Sequence, residues 1–198
     1  MNSTTEAQTE DLSNGYEDLS AAFIETRSKV GAATVREWAQ SLPYSGAILD
    51  VGCGCGIPIS QTLIECGFEV YGIDASAKMV KAFNRHFPQV PVACEAVENS
   101  PFFNRPFDAV ASWGLFFLLS AEAQVALISK IANALVPGGR FLFTSPYQVT
   151  SWNDNLTGRP SQSLGRDAYK TALEGAGLLL IGDYDDEGGN HYFDAVKQ

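Results

Sequence analysis

The sequence predicts an α/β fold: a doubly wound, mostly parallel seven-stranded sheet with an antiparallel C-terminal hairpin strand and an N-terminal helical lid. Three observations carry this. Short apolar runs alternate with helical stretches from residue 47 to residue 145, the pattern of parallel strands joined by crossover helices. A glycine turn, Gly52-x-Gly54-x-Gly56, follows the first apolar run and precedes a helix, where open α/β sheets hold their ligands. The chain closes with two strand-like runs joined across Glu187-Gly188-Gly189-Asn190, a glycine-turned hairpin whose last strand runs antiparallel.

Taken in order, residues 1–15 carry few apolar groups and are expected to form a disordered tail. Over residues 16–42, Leu19, Phe23, Val30, Val35, Trp38 and Leu42 recur near a helical period; Gly31 divides the run into two helices and Pro43 stops the second. Residues 47–51 form a strand and 57–66 a helix, with Pro58 acceptable in its first turn and Gly67 closing it. A strand at 69–73 leads to Ser76, which can cap a helix running to His86. Strands follow at 90–94 and 108–113, then a helix from the Ser120 cap to Leu135, ended by Pro137-Gly138-Gly139, and a strand at 140–145. A long loop over 146–165 precedes a helix at 166–176 and the hairpin strands at 178–184 and 191–196.

The formal net charge of −10 opposes binding to nucleic-acid phosphates or to anionic lipid. No apolar run reaches the roughly 20 residues that span a bilayer, and the N-terminal stretch has no signal-peptide character. The expected location is the cytoplasm, with neither nucleic acid nor membrane as partner. Cys53 and Cys55 lie inside the glycine turn without a second Cys/His pair at zinc spacing, so they read as reduced thiols and no metal is expected.

The glycine turn itself reads Asp50-Val51-Gly52-Cys53-Gly54-Cys55-Gly56. A dinucleotide fingerprint needs a glycine where Ile57 stands, and a P-loop needs a following Gly-Lys-Ser/Thr. The acid at the end of the strand disfavours a pyrophosphate and suits a ligand with a cationic amino-acid end. In this it resembles the class I S-adenosylmethionine-dependent methyltransferases of small-molecule type. The resemblance runs from about Ile48 to Lys197 through Tyr71-Gly72-Ile73-Asp74-Ala75-Ser76, Cys94-Glu95-Ala96, Phe107-Asp108-Ala109-Val110-Ala111-Ser112-Trp113-Gly114 and Leu135-Val136-Pro137-Gly138-Gly139.

That resemblance implies S-adenosylmethionine as cofactor, S-adenosylhomocysteine as product, and one methyltransferase domain over 16–198. Within it, 16–44 would be the lid, 45–145 the cofactor-binding half, and 146–198 the substrate loop and C-terminal hairpin. Asp50, Gly52, Cys53, Gly54 and Gly56 would form the cofactor loop, Asp74 and Ala75 would meet the ribose, and Glu95 and Ala96 the adenine. The function implied is methyl transfer to a small-molecule N, O or S acceptor by a monomer or homodimer; a non-catalytic module that binds the cofactor or its product fits the same motifs.

Acceptor-side candidates come from chemistry and position. Tyr16, Phe23 and Arg27 can share one helical face; Phe23 reads as pocket or core, and Arg27 as a carboxylate clamp or a solvated side chain. Trp113 and Phe116, after the fourth strand, can wall a sulfonium by cation–π attraction. Tyr147, Trp152 and Arg159 sit in the long loop, where lids are commonly built. Tyr192 opens the last strand beside His191, a candidate base or a structural histidine. Trp113 and His191 are the candidate catalytic residues.

Overall fold

The computed structural model describes residues 11–198, so the expected tail lies outside the described residues except for 11–15. Those five depart from the expectation: Asp11 accepts hydrogen bonds from the Ser13 and Gly15 amides and closes a turn. Helices α1 (Tyr16–Glu25) and α2 (Ala32–Ala39) follow, each starting after a glycine with positive φ.

The sheet is built from β1 (Ala47–Val51), β2 (Glu69–Asp74), β3 (Val92–Cys94), β4 (Phe107–Ser112), β5 (Leu135–Thr144), β8 (Leu178–Asp185) and β9 (His191–Lys197). Their order is β3-β2-β1-β4-β5-β9-β8. All neighbours pair parallel except β9, which is antiparallel to both β5 and β8. Every residue of β1 is buried, as expected of a central parallel strand covered on both faces. Leu49 and Val51 enter a core with helix α5 (Ala121–Ala134) and helix α6 (Arg166–Gly175), while Ile48 enters the opposite one with α2 and α3 (Ile59–Glu65). Helix α4 (Ala77–His86) starts where predicted, with the Ser76 hydroxyl accepting from the Met79 amide. Ser120 likewise caps α5 through the Ala123 amide.

Three local details differ from expectation. The long loop contains its own two-stranded hairpin, β6 (Thr150–Asn153) with β7 (Pro160–Ser163); its strands are polar and short, so no apolar periodicity announces them. Strand β5 begins at Leu135 and bulges over the Pro-Gly-Gly turn before regaining register at Arg140. Helix α3 begins two residues later than predicted, after Pro58. Among the described residues no helix is long and apolar enough to cross a membrane.

Candidate active site

A cavity of about 550 Å³ opens at the carboxyl ends of β1, β2 and β4, the edge where a parallel sheet leaves its connecting loops free. Its floor is the glycine turn. Gly54 has φ +55, and a Cβ built there would meet no protein atom within 4 Å, so the space before it is cavity. Gly52 also has positive φ and approaches Leu115 closely. Gly56 is required for another reason: a Cβ there would strike the Phe87 ring at 2.6 Å and Phe83 at 2.9 Å. It seats the turn against α4 and does not line the cavity.

Asp74 ends β2 with both oxygens engaged, one on the Gly54 amide and one on the Ser76 amide, each at 2.8 Å. These bonds fix the glycine turn against β2 and leave a second lone pair on each oxygen. Burial pushes the Asp74 carboxyl up, and the two amide bonds oppose that. Asp50, fully buried behind the turn, accepts from the Ser60 hydroxyl at 2.5 Å. Burial pushes it up to about 7; the Ser60 bond pulls it down, Asp74 adds to the rise, and Arg27 opposes it.

Arg27 is packed between aromatic faces, its guanidinium carbon 4.3 Å from the Trp113 ring centroid and 4.6 Å from Phe23. Its Nε donates to the Ile57 carbonyl at 2.7 Å, which holds the cation above the glycine turn. Burial lowers its affinity for the proton, and Asp50 works the other way. Both Phe23 and Arg27 therefore belong to the cavity wall. Trp113 does too, and one face of its ring carries this guanidinium.

Helix α1 and the turn before it are fastened at two points. At one, the Glu17 carboxylate accepts from the Ser76 hydroxyl at 2.6 Å and the Lys78 amide at 3.1 Å, tying α1 to the start of α4; the Ser76 bond lowers the Glu17 carboxyl. At the other, Tyr16 donates to Asp154 at 3.2 Å and Arg159 pairs with Asp11 at 2.7 Å, joining α1 to the β6–β7 turn. Burial and the adjacent Asp154 raise the Tyr16 phenol.

Trp113 Nε1 donates to the Tyr192 hydroxyl at 2.7 Å, and that hydroxyl donates to Asp186 at 3.0 Å. Helix α2 enters directly over this pair: a Cβ at Gly31 would lie 2.7 Å from the Tyr192 oxygen. Tyr192 thus stands behind the wall and orients it. Several acceptor candidates lie elsewhere. Phe116 is buried in the core, its ring 4.4 Å from Phe143; the short turn Phe116–Leu118 sends Phe117 to the cavity in its place. His191 faces away from Tyr192, as neighbours on a strand must. Its ring packs against Tyr147 at 5.1 Å and its Nδ1 meets Asp185 at 2.6 Å, so neither His191 nor Tyr147 lines the cavity. Trp152 supports Phe117 from behind, with ring centroids 5.5 Å apart. On the cofactor side, Glu95 and Ala75 border the cavity, whereas Ala96 is buried beside it and Val97 takes its place.

Among the residues that sequence reasoning passed over, Glu17 fastens α1 and Asn190 lines the cavity. Glu17 gave no signal, being one acid among several on a surface helix. Asn190 read as a turn residue; it reaches the cavity because the β8–β9 hairpin folds its turn back toward Trp113.

A Rossmann-like sheet with a glycine turn between two carboxylates defines a class of nucleoside-binding folds, and comparison with known proteins narrows it. A methyltransferase-domain family model matches residues 48–139. The tRNA U34 carboxymethyltransferase of Cellvibrio japonicus is 32% identical over 118 residues, 54% of this chain and 36% of that protein. An uncharacterized methyltransferase of Anoxybacillus flavithermus is 26% identical over 136 residues, 69% of this chain and 56% of that protein. The chain thus spans about a third to just over half the length of these curated relatives. Among solved structures, magnesium protoporphyrin IX methyltransferase from Synechocystis with bound S-adenosylmethionine superposes with a TM-score of 0.73 at 18% identity, covering 98% of this chain and 100% of that one. These findings support a class I S-adenosylmethionine-dependent methyltransferase.

Proposed function

We propose that this protein transfers the methyl group of S-adenosylmethionine to an N, O or S atom of a small molecule by in-line displacement. The observation that carries the reading is the open space before Gly54, bounded by the lone pairs of Asp74 on one side and the half-buried Arg27 guanidinium on the other. The donor set suits the cofactor's functional groups. Asp74 would accept from the ribose hydroxyls, Glu95 from the adenine amino group, and Arg27 would hold the carboxylate of the amino-acid end. Asp50, deep beneath the turn, supplies negative charge where the cofactor's ammonium would lie.

The cofactor brings an activated methyl on a sulfonium. The chain's own task is then to align a nucleophile behind that methyl and exclude water, an effect worth roughly 7–11 kcal/mol of barrier. Trp113, Phe117 and Tyr16 line the acceptor side, and the lid contacts of Glu17, Tyr16 and Asp11 close the site over it. Calorimetry with S-adenosylhomocysteine followed by isotopically labelled methyl transfer to a panel of small amines, phenols, carboxylates and thiols tests the proposal. Saturable binding with mass-labelled product is expected; binding without transfer to any member would favour the non-catalytic module.

A further inference from the structure

The acceptor end of the cavity is selective in its hydrogen bonding. Asn190 lines it, and both bonds of its side-chain nitrogen go to the Asp186 carboxylate, at 2.9 and 3.1 Å. The amide cannot be turned round, because its oxygen would then face the carboxylate oxygens. Oδ1 is therefore the atom left for a ligand, and it has no partner among the described residues. Tyr16 is committed in the same sense: its hydroxyl donates to Asp154 and so offers a ligand its lone pairs. The Trp113 N–H is spent on Tyr192, and the Asn14 amide nitrogen is buried out of reach. The one cation on the wall among the described residues, Arg27, is anchored on Ile57 at the glycine turn, the cofactor's end.

Resting on the methyl-transfer reading above, we propose that the acceptor is an amine: a primary or secondary nitrogen whose N–H groups donate to Asn190 Oδ1 and the Tyr16 oxygen. A carboxylate placed against Asn190 Oδ1 and the Tyr16 oxygen would meet acceptors, backed by the charges of Asp154 and Asp186, and is repelled there. A hydroxyl could donate once, but it becomes a good nucleophile only as it loses that proton. The nearby carboxylates are already engaged by Tyr16, Tyr192 and Asn190. An uncharged amine keeps its N–H bonds while its lone pair points at the methyl. That pair forms the new N–C bond, the S–C bond breaks with its electrons passing to sulfur, and the sulfonium becomes a neutral thioether. The methylated nitrogen carries the positive charge, in the field of Asp154 and Asp186, until it releases a proton to water.

The test uses the full chain loaded with S-adenosylhomocysteine and three matched probes, benzylamine, benzyl alcohol and benzoate, titrated by calorimetry. Benzylamine is expected to bind at least about tenfold tighter than the other two, the size of one to two net hydrogen bonds. Asn190→Leu is expected to narrow that gap while S-adenosylhomocysteine affinity stays within about twofold; Tyr16→Phe, which also removes the bond to Asp154 that fastens α1, is expected to narrow the gap whatever its effect on S-adenosylhomocysteine. Benzoate or benzyl alcohol binding as well as benzylamine, no saturable benzylamine binding, or an unchanged gap in either folded variant would overturn the assignment. Failure of S-adenosylhomocysteine to bind at all would overturn the methyl-transfer reading, and the amine with it.

Discussion

Replacing Asp50 with asparagine keeps the side chain's shape and its acceptor for Ser60 but removes the charge that burial opposes. In the folded protein this carboxyl stays protonated up to about 7, against an ordinary value of 3.8. The sign follows from proton counting. Between those values the folded chain holds a proton that the unfolded chain has lost, so stability falls as pH rises and levels off above about 7. From about pH 5 to pH 8 the wild-type protein should lose about 3 kcal/mol through this group alone, while the asparagine variant loses none of it. The comparison cancels every other titration that the two proteins share. For a domain of this size, the variant's melting temperature relative to wild type should rise by roughly 6–12 °C over that range. Thermal unfolding of both proteins without cofactor at the two pH values reads it. Calorimetry at about pH 8 should then show S-adenosylhomocysteine affinity reduced at least about tenfold, since the amino group has lost its counter-charge. A variant-minus-wild-type difference that is the same at both pH values would refute the account of Asp50 as a buried charge kept for the ligand.

Three further changes probe other parts of the site. Asp74→Ala removes the ribose acceptor and frees the Gly54 and Ser76 amides; S-adenosylhomocysteine affinity should fall about ten- to a hundredfold by calorimetry on folded protein. Gly54→Val places a side chain in the cavity at positive φ, its Cβ meeting no protein atom within 4 Å, so circular dichroism should stay native-like as cofactor binding disappears. Tyr192→Phe strands the Trp113 N–H at a cost of about 1–3 kcal/mol. With Trp38 and Trp152 changed to Phe, the Trp113 emission should shift, and kcat/KM should drop more than cofactor affinity does.

The sheet and the cofactor half were legible in the sequence because their signals are local. Val51-Gly52 ends a strand, Asp74 ends the next, and Ser76 and Ser120 cap helices within four residues of their partners. The acceptor side was not, because its geometry depends on which way neighbouring residues face. Phe116 and Phe117 are interchangeable by composition, yet a single turn sends one to the core and the other to the cavity. The same holds for His191 and Tyr192, whose faces are set by the register of β9 against β5 and β8. Arg159 illustrates a third kind of opacity. A loop arginine could grip a ligand, but here it closes on Asp11, 148 residues away, and no periodicity encodes that distance.

Charge along the carboxyl edge of the sheet runs in a definite order, and the order constrains chemistry more than any one residue does. Asp50 and Asp74 lie under and beside the glycine turn, Arg27 above it, and the next carboxylates, Asp154 and Asp186, appear only beyond Tyr16 and Asn190. A ligand with separate cationic and anionic groups at one end finds a partner for each near the turn. Past Trp113, Tyr16 and Asn190 stand before the remaining charges; on the amine proposal, those carboxylates would stabilise the developing positive charge at a distance, without an ion pair that would hold the product. Arg27, wedged between Phe23 and Trp113 just after α1, separates the two regions. On the methyl-transfer proposal, Arg27 as the one cation on the described wall would meet the anionic end of the cofactor, and displacing it would loosen that end.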